Sequence, residues 1–235
     1  TSVIGGLSTL TNTFTNWNYQ SVLPSGTHLS GNVYFDYSTN FNASISSIAS
    51  GASETSFVFD DLFTGTFHYD VSEVGDNAFQ DLSNISQIVL PESIQYIGNY
   101  SFNNCGITSL SLPNNTAVIG SYAFKGCTSL ASINIPTSLT SLGVEAFMGC
   151  STLNTDIVLP SSLTTLSDSC FSGCSAVSTV DIHSNEVSIG NYAFNDCANL
   201  TKCDFHDASL NTLGQYAFHN CSTLANVNTN NTVTM

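Results

Sequence analysis

The amino-acid sequence predicts a stacked-repeat solenoid preceded by a β-rich N-terminal segment. An eight-residue phrase, Gly-x-x-Ala-Phe-x-x-Cys, recurs seven times with small variations, at steps of 22–24 residues. Each copy leads into a stretch that alternates apolar and polar residues. One unit of this length cannot bury its own apolar side chains, so neighbouring units must stack and share a core. The copies follow Val74, Ile97, Ile119, Leu142, Leu166, Ile189 and Leu213.

Each repeat divides into two halves with different patterns. In the third repeat Ile133 and Ile135 alternate with polar residues, which predicts a short strand with one buried face. Pro136 then removes a backbone donor and should end the strand. In the other half Phe124 and Cys127 are three residues apart, which places them on one side of a single helical turn. We therefore predict one short strand and one helical turn per repeat.

One phenylalanine per repeat is expected to form a continuous column in the core. Burying such a side chain contributes roughly 1.5–3 kcal/mol to stability. The column contains Phe79, Phe102, Phe124, Phe147, Phe171, Phe194 and Phe218.

The extended phrase L-x-x-I-x-L-P-x-S-L-x-x-I-G-x-x-A-F-x-x-C resembles the leucine-rich repeats of BspA-like surface proteins. The resemblance covers about residues 67–230. It implies a right-handed, curved solenoid with its strands on the concave side. It also implies an extracellular or cell-surface protein that binds host proteins and other cells.

The predicted solenoid occupies residues 62–235 and contains the seven repeats plus a leading half repeat. Leu62 and Phe67 belong to that half repeat, because they lie 23 residues before equivalent positions in the first full repeat. Residues 1–61 lack the repeat and contain the sole tryptophan, Trp17. This segment is either a cap that covers the first coil or a separate β module for attachment.

Composition excludes several classes of function. The chain has two basic residues, Lys125 and Lys202, against 17 acidic ones, and a formal net charge of −15. This balance argues against nucleic acid or an anionic membrane as partner. No apolar run is long enough to predict a membrane span. The chain also lacks the common nucleophile, phosphate-binding and zinc-protease motifs, and a stacked core leaves a surface rather than a pocket, so we predict no enzymatic activity.

The polar positions of the predicted strands should form a concave binding face for a protein or glycan ligand. Seven coils at about 4.8 Å each give this face a length of roughly 34 Å. The face contains Gln87, Val89, Ser109, Ser111, Ser132, Asn134, Asp156, Val158, Thr179, Asp181, Lys202, Asp204, Asn226 and Asn228.

A possible metal site breaks the pattern of the repeat. His183 and His206 replace the strand-ending proline in two successive repeats, and Asp181 and Asp204 precede them by two residues. Residues two apart share a face of a strand, and adjacent coils are in register, so the four side chains should lie together. They could bind a divalent cation such as Zn²⁺. Otherwise they are solvated polar residues partly neutralised by Lys202, and the chain needs no cofactor.

Six of the eight cysteines occupy one column of the repeat, where the first repeat has Leu82. A position that accepts Leu or Cys behaves as a small buried hydrophobe, so we predict mostly free thiols, with an occasional disulfide between coils geometrically possible. Seven Asn-x-Ser/Thr sequons also occur, of which Asn42 and Asn114 are the better exposed candidates for glycosylation.

Two hypotheses for function remain at the level of sequence. One is a non-catalytic adhesion or binding protein that uses its concave face. The other is a structural subunit of an extracellular filament, sheath or virion appendage, assembled from copies of the chain end to end. The second is suggested by the final repeat, whose Phe218, Leu224 and Val227 are followed only by a short polar tail.

Overall fold

The computed structural model describes residues 26–30, 33–37, 42–48, 56–59, 70–206 and 208–228. Trp17, the boundary near residue 61 and the half repeat at Leu62 and Phe67 lie outside these residues, so the division of the chain there stays a prediction. The described residues form eighteen strands and no helix. Successive coils pair through parallel strands, which confirms the predicted solenoid.

Three N-terminal strands extend one sheet of the solenoid. Strands β1 (Gly26–Ser30), β2 (Val33–Tyr37) and β3 (Asn42–Ile48) pair antiparallel in sequence order. Strand β3 then pairs parallel with β5 (Asp70–Val74), whose parallel partner is in the next coil. The described part of the N-terminal segment is therefore hydrogen-bonded to the repeats rather than separate from them.

A first column of parallel strands corresponds to the strand predicted for each repeat. It is divided into two four-stranded sheets between its fourth and fifth strands. At that point residues 153–160 form a stretch one residue longer than the equivalent 130–136. In chain order the column contains β4 (Ser56–Val58), β6 (Gln87–Val89), β8 (Ser109–Leu110), β10 (Ser132–Ile133), β12 (Ile157–Leu159), β14 (Thr179–Ile182), β16 (Lys202–Asp204) and β18 (Asn226–Asn228).

A second column of parallel strands, which the sequence did not predict, precedes the Gly-x-x-Ala-Phe phrase. Four consecutive strands of this column, β7 to β13, are only two residues long, too short to give a recognisable alternation. After β3 and β5 it contains β7 (Tyr96–Ile97), β9 (Val118–Ile119), β11 (Ser141–Leu142), β13 (Thr165–Leu166), β15 (Glu186–Ile189) and β17 (Ser209–Leu213).

The predicted helical turn is instead a pair of consecutive β-turns. In the third repeat the turns are closed by hydrogen bonds from Cys127 N–H to the Phe124 carbonyl and from Lys125 N–H to the Tyr122 carbonyl. Tyr122 and Gly126 have φ angles of 61° and 72°, which a right-handed helix cannot contain. Between these residues the Phe124 N–H bonds to Ala146 of the next coil at 2.7 Å. Residues with a left-handed backbone conformation thus let every second backbone N–H of the turns bond to the neighbouring coil.

The phenylalanine column is confirmed. Adjacent rings from Phe79 to Phe218 stack with centroids 5.0–5.5 Å apart and planes within 7° of parallel. Phe57 and Phe59 lie against Phe79 at 6.2 and 6.0 Å and continue the column toward the N terminus. The core is therefore a single continuous cluster shared by all coils.

The eight cysteines all lie within the described residues, and each is a free thiol, as the repeat pattern predicts. The column position also has a hydrogen-bonding role. Cys127 Sγ donates to the Phe102 carbonyl of the preceding coil at 2.9 Å, and Cys150 Sγ to the Phe124 carbonyl at 3.1 Å. Burial raises the pKa of the Cys105 thiol to about 11, so the buried thiols stay protonated at neutral pH.

The glycine of the phrase lies directly against the preceding coil. A Cβ built on Gly143 would come 2.3 Å from the backbone nitrogen of Ser121, which no side chain can tolerate without a shift. The Gly143 N–H bonds to the Ile119 carbonyl of the coil before. In the fifth repeat Ser167 stands at this position, its hydroxyl bonds to the Leu142 carbonyl, and the second column is interrupted between β11 and β13.

Truncating a phenylalanine in the middle of the column should destabilise the whole solenoid. Phe147→Ala removes a fully buried ring with a stacked neighbour on each side, and we expect it to lower the free energy of unfolding by about 3–5 kcal/mol. Chemical denaturation measures this change. Phe218→Ala in the half-buried last coil is the matched control and should lose clearly less; equal losses would contradict a shared column.

Adding a methyl group at the coil contact should also be costly. Gly143→Ala forces the Cβ against the backbone of the preceding coil, and overpacking of this kind typically costs about 1–3 kcal/mol. The control is Ser167→Ala, which occupies the same position of the repeat but already has a Cβ. Thermal unfolding of the two variants should show a large shift for the first and a small one for the second.

Candidate functional site

The outward side of the first strand column is called here the strand face. Its side chains alternate with buried ones, as in β12, where Ile157 and Leu159 are buried and Val158 is 45% exposed. Most of the residues predicted for the binding face are on its solvent side. Nine are exposed, namely Gln87, Val89, Ser109, Ser111, Ser132, Asn134, Asp156, Val158 and Lys202. Thr179 and Asp181 are half-buried, Asp204 is buried, and the side chains of Asn226 and Asn228 lie outside the described part of the chain.

The N-terminal half of the strand face is uncharged. Asn134 contributes to its rigidity, because its amide accepts a hydrogen bond from Leu112 N–H at 2.7 Å and donates one to the Leu112 carbonyl at 2.8 Å. Val89 is among the exposed large apolar residues of the described chain, as is Val158, which lies beyond Asp156 where the two halves meet. This half offers hydroxyl, amide and apolar groups to a ligand.

The C-terminal half of the strand face has a charged cluster. Asp181 and Asp204 are register partners on β14 and β16. Lys202 Nζ is 2.8 Å from Asp204 Oδ2 and 3.8 Å from Asp181 Oδ1. The lysine hydrogen bond, together with the His206 N–H, lowers the pKa of the Asp204 carboxyl. The Asp204 carboxyl is thus held ionised beside the ammonium group, with Asp181 as its neighbour on the next strand.

The two histidines lie at the edge of this cluster. The His183 and His206 rings stack with centroids 4.5 Å apart. His206 has a φ of 45°, and its backbone N–H donates to Asp204 Oδ1 at 2.9 Å. Ligand atoms of Asp181, Asp204 and His206 all lie within 4.8 Å of one another, whereas His183 is not part of this group. Three of the four predicted metal ligands therefore converge, and the fourth packs beside them.

A second exposed feature, on the β-turns, was not predicted. Tyr100 stacks on Tyr122 at 4.5 Å and Tyr192 stacks on Tyr216 at 5.2 Å. Each occupies the left-handed third position of its phrase. The recurring Gly-x-Tyr of four repeats was the available sequence signal, since equivalent positions of adjacent coils lie in register.

The glycosylation candidates are not tested by the fold. Asn114 is exposed. The side chain of Asn42, on β3, lies outside the described residues. Both remain predictions.

Stacked coils with a continuous outward strand surface define a repeat protein of the solenoid class. The family model described as "BspA type Leucine rich repeat region" matches residues 50–155 and 152–235, with six copies. The chain therefore belongs to the BspA-type leucine-rich repeat family, which confirms the predicted resemblance. A search of curated proteins found no match.

Solved structures share the fold. A leucine-rich repeat protein of T. pallidum is 24% identical with a TM-score of 0.68, and the match covers 85% of this chain and 87% of that chain. A leucine-rich repeat protein of Bacteroides ovatus is 24% identical with a TM-score of 0.74, and the match covers 90% of this chain but only 53% of that chain. This chain thus spans about half the length of the B. ovatus protein. Within the described residues, no helix is long and apolar enough to cross a membrane.

Removing Lys202 should change how stability depends on pH. Because the pKa of Asp204 is lowered from its ordinary 3.8, the group contributes stability above that value, which is lost as pH falls through the folded pKa. Lys202→Gln should raise the Asp204 pKa and make the fall in melting temperature between neutral and strongly acid pH shallower. NMR titration of the carboxyl measures the pKa directly.

The matched control for that experiment is Lys125→Gln. Lys125 is the other basic residue of the chain and pairs with Glu145 at 2.6 Å in a different coil. It should leave the Asp204 titration unchanged. An unchanged Asp204 pKa in Lys202→Gln would show that the ammonium group does not hold the carboxylate ionised.

Proposed function

We propose that this protein is a non-catalytic, extracellular or cell-surface binding protein whose strand face binds a protein or glycan ligand. The BspA-type repeat supports a surface location, since members of this family are generally surface proteins. The observation that carries the proposal is the regular exposure of one side-chain row per coil on two consecutive hydrogen-bonded sheets. Such a surface is ordered before a ligand arrives, which lowers the entropic cost of binding.

The composition of the strand face favours a ligand that spans two kinds of surface. Its N-terminal half offers hydroxyl and amide groups with an exposed valine, which suits hydrogen-bonding ligands with apolar patches. Its C-terminal half has Asp156, Asp181 and Asp204 against Lys202 alone, so a basic or polyhydroxyl group fits there best. From β6 to β18 the face is roughly 30 Å long, enough for a standard protein interface.

End-to-end assembly into a filament or sheath is the second candidate, and one observation favours it. Phe218, Leu224 and Val227 in the last coil are only half-buried, and Leu213 is 39% exposed. Among the described strands, β17 and β18 each pair on one side only. A parallel edge that has no partner among the described strands and lies beside apolar side chains is a surface onto which another coil could stack.

The proposed binding face is tested by measuring the binding of the 235-residue chain to a panel of ligands. The panel consists of extracellular matrix proteins and a glycan array. We expect binding to at least one member of the panel. Val89→Arg and Val158→Arg should weaken it, because each places a bulky charge at an exposed apolar position of the face, the first at its N-terminal end and the second near its centre. The matched control is Tyr192→Ala, which truncates an equally exposed side chain on the turns.

Two outcomes would contradict this assignment. Loss of binding in the tyrosine variant with no loss in the valine variants would place the ligand on the turns. Absence of binding across the panel, together with fibres or ladders of oligomers in negative-stain microscopy, would favour the structural subunit.

A further inference from the structure

We propose that Asp181, Asp204 and His206 form a zinc-binding site at the C-terminal half of the strand face. This inference does not depend on what the strand face binds. The three residues come from two adjacent strands and the turn after the second, so the solenoid itself places them together. Their three ligand atoms lie within 4.8 Å of one another. Tetrahedral zinc holds such atoms roughly 3.3 Å apart, so the site closes when the exposed His206 and the half-buried Asp181 side chains move by about 1–1.5 Å toward Asp204.

An orphaned oxygen gives the strongest support for a cation at this position. Asp181 Oδ1 is buried, and within the described part of the chain no hydrogen-bond donor reaches it. The nearest cationic atoms are Lys202 Nζ at 3.8 Å and His206 Nε2 at 3.9 Å, both beyond hydrogen-bond distance. Lys202 thus forms a long ion pair with this oxygen but gives it no hydrogen bond, and a carboxylate oxygen withdrawn from water without a donor is destabilising. A metal ion beside His206 would coordinate this oxygen directly.

Lys202 orients the site without blocking it. The ammonium group lies on the Oδ2 side of Asp204, at 2.8 Å. The Asp204 Oδ1 atom instead faces His206, with its Nδ1 at 4.0 Å and its backbone N–H at 2.9 Å. The two oxygens of Asp204 therefore have different roles: Oδ2 contacts the lysine, and Oδ1 faces the proposed metal position. This is the usual arrangement in which an outer group fixes the orientation of a ligand.

The donor set selects the metal. An imidazole nitrogen with two carboxylate oxygens suits Zn²⁺ and related transition metals, whereas Ca²⁺ and Mg²⁺ prefer oxygen alone. Three protein ligands leave a fourth position, which water or a donor group of a bound partner would fill. His183 stacks on His206 and limits the rotation of that ring.

The test is calorimetric titration of the chelator-treated full chain with ZnCl₂ near neutral pH. We expect binding of one ion per chain, a higher melting temperature with zinc, and no comparable effect of CaCl₂. Asp181→Asn and His206→Gln should each weaken zinc binding by at least about 10–100-fold, the range seen when even outer-shell partners are lost. Both changes are at the surface, and far-UV circular dichroism with a melting curve shows that each variant is folded.

Two further variants separate a metal site from general attraction to an acidic protein. Asp156→Asn removes a negative charge from the same face one coil earlier and should leave zinc affinity unchanged. Lys202→Gln removes the group that orients Asp204 and should weaken zinc binding, whereas general attraction to an acidic protein would grow stronger with the loss of a positive charge. If the contact of Lys202 with Asp204 is only a structural ion pair, zinc binds neither the Asp156→Asn variant nor the Lys202→Gln variant.

The free cysteines provide the alternative site to exclude. If thiols bind the metal, the Co²⁺-substituted protein should show a strong sulfur-to-metal charge-transfer band. Cys221 is half-buried whereas the other seven cysteines are buried, so Cys221→Ser should then abolish zinc binding. The proposal is overturned if no zinc binds, or if binding survives both Asp181→Asn and His206→Gln.

Discussion

The structure depends on one coincidence of distances. Strands in a sheet are about 4.8 Å apart, and aromatic rings stack at nearly the same spacing. The Phe124 and Phe147 rings, for example, are 5.0 Å apart in coils that are also joined by a hydrogen bond from Phe124 N–H to Ala146. Backbone pairing and ring stacking are therefore satisfied by the same translation. Because a glycine in every phrase except the fifth lets the backbones reach that separation, neither interaction has to be strained to form the other.

The same spacing between adjacent coils explains the unusual composition of the chain. Every side chain in an in-register column lies about 5 Å from its equivalents, so like charges would repel along the whole molecule. Charged residues make up only 8% of the chain, and surface columns use Ser, Thr and Asn. Where an aspartate occurs on the turns, the next coil often places an asparagine amide against it. Such pairs are Asp76 with Asn99, Asp81 with Asn104, Asp168 with Asn191, and Asp196 with Asn220.

The period and the apolar columns could be predicted because they repeat, and repetition averages out local ambiguity. The helical turn was wrong because the three-residue spacing of Phe124 and Cys127 fits two β-turns equally well. A signal was present at position 126, where Gly or Asn recurs between them in most repeats, as left-handed residues require. The convergence of Asp181 and Asp204 followed from register alone. The exclusion of His183 from the ligand group, by contrast, depends on how its ring packs against His206, which the spacing of residues in the sequence does not predict.

Exchange of proline for histidine gives the charged cluster its geometry. In earlier coils a proline lacks the N–H that would continue the first column, and the strands there are two or three residues long. At His183 that N–H is present and bonds to the Leu159 carbonyl at 3.1 Å, and β14 is four residues long. In the next coil β16 is only three residues long, and His206 follows it in a left-handed turn whose backbone N–H bonds to Asp204 Oδ1 at 2.9 Å. The ligand histidine is thus held by the turn that replaces the strand-ending proline, which is why this cluster occurs where the repeat departs from its own pattern.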